Sequence, residues 1–277
     1  MEKELVVKSN KLIEASFMLS INEQRMILLA ITHVRRNKAL DANMQFVVSV
    51  QDMVSLFGLE PKNAYRDLEI AAKKLFNRYI TIDAPDPDFP KLKYTTTRWI
   101  SSIGYIPDEG RVVLIKKKKI VPYLSLLESQ FTKYKLVFIA KMTSSYAIRL
   151  YELLVQWRSI GKREVSIDWL KQQFQIEDKY KAVKDLKKDV IEIAITQINT
   201  HSDLTVSYTQ RKTGRVVTHF TFAFSPKTAV ESKPRARKKP PQGETICGVL
   251  KADIERLARA GESYEQAAAR IKQQELI

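Results

Sequence analysis

The chain has 277 residues, 44% of them hydrophobic, with 47 Lys and Arg against 31 Asp and Glu and a net charge of +16. That length suits two domains better than one, and the apolar content is enough for packed cores. A balance this basic points to a polyanionic partner, either nucleic acid or an anionic membrane surface.

A membrane role finds no support. No apolar run approaches the ~18 residues of a spanning helix, and the longest candidates, 26–31 and 136–140, are core-sized. The start, MEKELVVKSN, has a three-residue apolar run and lacks the hydrophobic region of a secretory leader. The sole cysteine, Cys247, has no partner for an internal disulfide. The expectation is a protein of the reducing cytoplasm.

Residues 20–36 are expected to form a helix, because Ser20 and Glu23 have capping-box spacing and Met26, Leu29 and Ala30 open an apolar face. A strand at 46–50 then leads into a short helix at 51–57, closed by Gly58, and a longer one at 62–79. A loop rich in Pro and Asp, DAPDPDFPK, follows. Strands at 93–105 and 111–115 flank the turn Pro107-Asp108-Glu109-Gly110. The same order then returns: helix 144–158 ended by Gly161, strand 165–167, helices 168–174 and 179–199, and strands 204–210 and 216–224 around Lys212-Thr213-Gly214-Arg215.

The repeat is visible in the letters. VSVQDMVSLFGL (48–59) lies over VSIDWLKQQFQI (165–176) without a gap, at an offset of 117. Duplication with the same element order explains this more economically than chance. Three helices, the last two forming a helix-turn-helix, followed by a β-hairpin, make a winged helix. The expected fold is therefore α+β: two tandem winged-helix domains at 1–128 and 129–226, then a basic linker and helical tail at 227–277. SKPRARKKPPQ marks the linker, and Ser263 and Gln266 have capping-box spacing for a tail helix.

In a winged helix the third helix enters the major groove and the hairpin touches backbone or minor groove. On the 179–199 helix, Val183, Leu186, Val190 and Ile193 would form the buried face, with Lys181, Lys184 and Lys188 opposite and Lys179 and Lys187 nearby. Such lysines neutralise phosphates or reach guanine edges. Arg211, Lys212 and Arg215 tip the hairpin that follows.

The equivalent helix of the first half would bury Tyr65, Leu68, Ala72 and Leu75 and expose Lys62, Arg66, Ile70, Lys73 and Lys74. Ile70 either packs on a thymine methyl or is covered by another part of the protein. Arg98 and the run Lys116, Lys117, Lys118, Lys119 join the candidate contacts. Four consecutive like charges gain from a phosphate partner, and a solvated strand end is the alternative. The series Leu5, Leu12, Leu19, Met26 has zipper spacing, but the Ser20 cap splits it, so core packing of separate elements is expected.

Enzyme signatures are missing, so no catalytic residue, cofactor or metal is expected. The only Gly-Lys pair, Gly161-Lys162, has Gln156 where a phosphate-binding loop needs glycine. His33, His201 and His219 are scattered without metal spacing. Asp83, Asp86 and Asp88 cluster in a loop that reads as a polar turn.

Several segments together resemble the iteron-binding replication initiators of bacterial plasmids. AYRDLEIAAKKL (64–75) resembles that family's Tyr-Arg-x-Leu pattern, and RWISSIGYIPDEGRVVLIKKKKIVPYL (98–124) its first wing. FTKYKL (131–136), SSYAIRLYELL (144–154) and GRVVTHFTFAF (214–224) resemble parts of its second winged helix. The resemblance covers roughly 5–226. It implies a protein that binds directly repeated iterons at a plasmid origin as a monomer and promotes origin opening. It also implies recruitment of the host initiator and replicative helicase, and repression of its own promoter as a dimer, hence copy control. It assigns the main base readout to the second domain and dimerisation to the first, where strand residues Val112, Val113, Leu114 and Ile115 could pair with a symmetry mate. A plasmid or phage transcriptional regulator of the same fold is the nearest alternative, and a DNA-nicking or primer-synthesising enzyme a more distant one. The second reading helix, KYKAVKDLKKDV, lacks the phenylalanine and arginine that often stand there in the family.

Overall fold

The computed structural model describes residues 4–34, 45–83, 91–125, 127, 129–227, 245–247, 249–251, 254 and 262–274. Two compact units emerge, Met1–Lys227 and Thr228–Ile277.

The first unit opens with β1 (Leu5–Ser9) and a single helical turn, α1 (Asn10–Ile13). The reciprocal Ser20–Glu23 capping box then starts α2 (Ile21–Thr32), as its spacing predicts. The helix ends at Thr32, short of the expected 36, and residues 35–44 lie outside the described set. Next come β2 (Gln45–Ser49), α3 (Val50–Phe57) and α4 (Pro61–Phe76). Pro61 stands at the first helical position, where its missing N–H costs nothing.

Beyond α4 the structure departs from the expectation. The helix stops at Phe76, and Tyr79–Ile82 forms β3, paired with β4 (Thr95–Arg98) in a separate two-stranded sheet. The strand expected at 93–105 is thus two strands that part at buried Trp99, β4 and β5 (Ile100–Ile106). Alternation ran through both and hid the break. β6 (Arg111–Lys116) completes the first wing. The sheet order is β2-β6-β5, so β6 has a neighbour on each side. This corrects the expected dimer edge: Val112–Ile115 already pair with β2 and with β5, and Val112 and Leu114 are buried. The open edges of that sheet belong to β2 and β5.

β7 (Phe131–Lys135) pairs antiparallel with β1, from Leu5 opposite Lys135 to Ser9 opposite Phe131. The first strand therefore crosses the boundary expected at residue 128. After the turn α5 (Val137–Ala140) come α6 (Ser145–Val155), β8 (Lys162–Ser166) and α7 (Ile167–Phe174). Gly161 precedes β8 at φ 70, and a Cβ there would meet Phe224 O at 3.0 Å, so the approach needs glycine. A continuous helical stretch follows: α8 (Val183–Leu186), a π-helical segment Lys187–Glu192, and α9 (Ile193–His201). The second wing is β9 (Leu204–Thr213) and β10 (Val216–Pro226), in a sheet ordered β8-β10-β9.

The duplication holds at the same offset. Ser49 and Ser166 each cap an eight-residue helix with the side-chain oxygen, and Gly58 and Gln175 close those helices in the left-handed region, at φ 66 and 52. In each half the strand before the helix-turn-helix, β2 or β8, pairs with the last strand of the wing. One apolar core cluster runs through both halves. Leu5, Leu12 and Met26 lie in β1, α1 and α2 and Leu19 just before α2, so the zipper spacing belongs to separate elements, as expected.

In the second unit β11 (Thr245–Ile246) pairs with β12 (Val249–Leu250), strands the sequence reading did not anticipate. Helix α10 (Tyr264–Gln274) has the expected Ser263–Gln266 cap, and Ala267, Ala268 and Ile271 pack with Ile254. The basic linker and two of the loop aspartates, Asp86 and Asp88, lie outside the described residues. Among those described, no helix is long and apolar enough to cross a membrane. Nor does any group of three His, Cys, Asp or Glu stand ready to hold a metal.

Candidate nucleic-acid interface

α4 is the third helix of the first winged helix. It buries Ala64, Leu68, Ala71, Ala72 and Leu75, while Tyr65 is half-buried. Lys62, Arg66, Lys73 and Lys74 are exposed, as expected. Ile70 is 43% exposed, so no other described part of the chain covers it. Lys73 Nζ sits 2.6 Å from Glu69 Oε1, and that hydrogen bond raises its pKa. Arg66 lies 3.5 Å from Asp67. The tip of the first wing carries Asp108 and Glu109, both exposed, with Arg111 paired to Glu109 at 2.6 Å.

Of the expected contacts of this half, one is engaged within the fold and one is corrected. Arg98 lies 5.3 Å from the Phe76 ring and 5.2 Å from that of Tyr79, to whose hydroxyl it donates at 3.1 Å. Its guanidinium is engaged in packing the β3–β4 hairpin. Lys116 is 3% exposed, and its ammonium lies 4.2 Å from the Phe46 ring with no hydrogen-bond partner. Burial, with Lys8 nearby, pushes its pKa down to about 7. As the last residue of a strand whose alternate side chains face the core, it points inward, and the run of lysines that follows concealed this. Lys117 and Lys118 are exposed.

In the second winged helix the reading helix begins at Val183, not 179. Lys179 and Lys181 are exposed on the connection before it rather than on its face. The π segment adds a residue to the turn and shifts the buried face to Leu186, Val190, Ile191, Ala194 and Ile198. Ile193, expected inside, is 43% exposed. Lys184 and Lys188 are exposed as expected, interleaved with exposed Asp185, Asp189 and Glu192. Lys187 is half-buried, its Nζ 6.0 Å from the Tyr208 ring on β9, so it faces the wing stem.

Three features that sequence reasoning missed position this helix. Tyr208 donates to Glu192 Oε1 at 3.1 Å; burial first, and then Glu192, push its pKa up to about 12. Tyr180 adopts φ 52, with its carbonyl held by Lys171 Nζ at 3.0 Å. Ser16, from the amino-terminal segment, donates to Gln172 O at 2.6 Å. Only the alternation of Tyr208 along its strand hinted at any of them. At the second wing, Arg211 is paired with Glu164 at 3.0 Å. The Thr221 hydroxyl and then Arg211 hold that carboxyl below its ordinary range. Lys212 and Arg215 flank the tip and are exposed.

The arrangement is two helix-turn-helix units with exposed cations on their third helices and one cationic wing. Family comparison decides what it belongs to. The family described as Initiator Replication protein, WH1, matches residues 5–155, and Initiator Rep protein, WH2, matches 166–224. The chain belongs to this initiator replication protein family. The first match extends past residue 128, to the end of α6, consistent with the β1–β7 pairing that ties the halves together.

Among relatives, a PI protein of Escherichia coli is 26% identical over 248 residues, covering 78% of this chain and 80% of that one. An uncharacterized 27.6 kDa protein of Escherichia coli is 25% identical over 226 residues, covering 78% and 93%. The crystal structure of the Pi initiator protein in complex with iteron DNA matches with a TM-score of 0.70 at 23% identity, over 82% of this chain and 98% of that one. That likeness shows the shared fold.

Proposed function

We propose that this chain initiates plasmid replication by binding directly repeated iteron DNA at the origin, with both winged helices engaging one repeat. The duplicated unit carries the reading: two third helices with exposed cations lie in one compact unit, as two reading heads on one duplex require. Iteron DNA is the ligand of the similar Pi initiator. The contacts we assign are Lys62, Arg66, Lys73 and Lys74 on α4, Lys184 and Lys188 on the second reading helix, and Lys212 and Arg215 on the second wing. Lys117, Lys118, Lys179 and Lys181 are further backbone contacts, whereas Arg211 acts mainly within the wing stem.

By this reading the chain binds rather than catalyses, works in the cytoplasm, promotes origin opening and recruits the host initiator and helicase. It also represses its own promoter as a dimer. Footprinting on the DNA flanking the gene tests the core of it. Protection of about 20 base pairs per repeat is expected, since successive half-sites lie ~10 base pairs apart. Direct repeats beside an AT-rich segment support an initiator. A lone palindrome makes the protein a regulator instead, and metal-dependent strand cleavage by a clean preparation makes it an enzyme.

A further inference from the structure

Ser16 is bonded to both halves of the first unit. Its N–H donates to Thr81 O at 2.8 Å, and its carbonyl accepts from Thr81 N at 2.9 Å. Thr81 lies on β3, the strand that follows α4 directly. On the other side the Ser16 hydroxyl donates to Gln172 O at 2.6 Å, and its carbonyl accepts from Gln175 Nε2 at 3.3 Å. Gln172 is in the last turn of α7, and Gln175 is the left-handed residue from which the chain runs to the second reading helix. Phe17 extends the link: its N–H donates to Gln173 O at 3.2 Å, and its ring meets Trp99 edge-on at 4.9 Å.

This segment is itself held fast. Arg149 donates to Ile13 O at 3.0 Å and Ala15 O at 2.7 Å, and its guanidinium lies 3.7 Å from the Phe17 ring. Glu14 pairs with Arg163 at 2.8 Å. Ile13, Ala15 and Phe17 are buried. The halves are also tied by the β1–β7 ladder, by Lys8 to Glu152, and by α2, whose Gln24 and Arg25 donate to Ser145 O and Met142 O beside the Thr143 and Ser144 amides that donate to Gln197 on α9. The Ile13–Phe17 segment differs in bonding the strand that leaves the first reading helix and the residue that leads to the second.

We infer that Ile13–Phe17 is a joint that helps set the angular phase between the two reading helices, with Ser16 as its positioning residue. The inference rests on the proposed two-headed binding of one repeat. Two rigidly joined readers fit one spacing of their half-sites, because each inserted base pair turns the second half by roughly 35°. A joint bonded to the elements flanking both readers helps fix that spacing. If its bonds are removed, the readers can settle on other spacings at the cost of affinity for the natural one.

The test titrates full-length protein on a natural repeat and on the same repeat with one base pair inserted between its protected halves. The parent should lose at least about tenfold on the inserted duplex, the order of a single spoiled base contact. Ser16→Ala removes the bond to Gln172. Gln175→Gly removes the bond to Ser16 at a backbone angle that glycine adopts freely. Each variant should bind the natural repeat about three- to tenfold more weakly, the worth of one hydrogen bond, and should show a smaller insertion penalty than the parent. Ser16→Thr, which keeps the hydroxyl, should restore the parental penalty. A penalty unchanged in both variants overturns the inference, as does a uniform loss on both duplexes that tracks a lower melting temperature. A parent indifferent to the insertion overturns two-headed binding itself, a result distinct from either.

Discussion

The Tyr208 hydroxyl donates to Glu192 at 3.1 Å, joining the stem of the second wing to the π-helical turn of the reading helix. Tyr208 also packs edge-on against Phe220, with centroids 5.7 Å apart, so its ring is fixed from the core side. The bond therefore transmits the position of a rigid sheet to the helix.

Tyr208→Phe should keep that packing and lose the bond. Affinity for the repeat should fall about three- to tenfold, because one hydrogen bond is worth about 0.5–1.5 kcal/mol. Melting temperature should change little, since the ring stays. Titration with parallel thermal melts checks this, and unchanged affinity removes the coupling. With its pKa pushed up to about 12, Tyr208 stays protonated, and no step in affinity should arise from it between pH 6 and 9.

Lys116 makes stability depend on pH with a definite sign. Its pKa is about 7 folded and 10.5 in the ordinary state, so between those values the unfolded chain binds the extra proton. Stability from this group therefore rises as pH climbs from about 7 to 10.5, and below 7 the full burden of burying the charge is present. Lys116→Met keeps the packing over Phe46 without the charge. The variant should be more stable than the parent by about 1–4 kcal/mol at pH 7 and below, with the difference narrowing as pH rises to 10.5, where the parent buries only a neutral amine. Denaturant melts of both proteins across that range decide it. A variant less stable at pH 6 would mean the ammonium has a partner.

Some of this was legible in the letters and some was not. The duplicated segment was, because a strand, a serine cap and an eight-residue helix are local and Ser49 and Ser166 do the same work. Ile193 was misplaced because a 100° periodicity assumes an unbroken α-helix, and the π segment at Lys187–Glu192 breaks that assumption with no local signal. Lys116 reads as a surface cation from its charge run, but strand parity, with Val112 and Leu114 buried, turns it inward over Phe46. The role of Ser16 could not be read at all, since its partners Thr81 and Gln172 are 65 and 156 positions away. Non-local hydrogen bonds leave no trace in a single sequence.

Residues beyond Lys227 should be dispensable for choosing the site. Lys227 closes the first unit, with its Nζ bonded to Asn199 O and to Ser202 O at 2.7 Å and its N–H to Asp203 O at 2.7 Å. A chain ending after Lys227 keeps these bonds and should give the same footprint boundaries. A shifted or lost footprint would show that the tail reads DNA.

The lysines of the second winged helix should divide by position. Lys184 lies on the first turn of the reading helix and Lys188 one turn on, both exposed, while Lys181 stands before the helix begins. Single Lys→Ala changes at these sites should cost within ~0.5 kcal/mol of stability, as exposed substitutions usually do. Lys181, on the connection, should behave as a phosphate contact: its loss weakens binding to every sequence and flattens the log–log salt slope by about 0.9. Lys212 and Arg215 at the wing tip should act the same way. At least one of Lys184 and Lys188 should read a base instead, costing ~1–3 kcal/mol and relaxing preference at one base pair. The neighbouring Asp185 and Asp189 sharpen this, because carboxylates beside a lysine disfavour a phosphate and leave the base edges as the compatible partner. Titrations at several salt concentrations against single-base variants of the repeat separate the two classes. If the Lys184 and Lys188 variants bind like the parent, this helix is not the reader, and the assignment of base readout to the second winged helix fails with it.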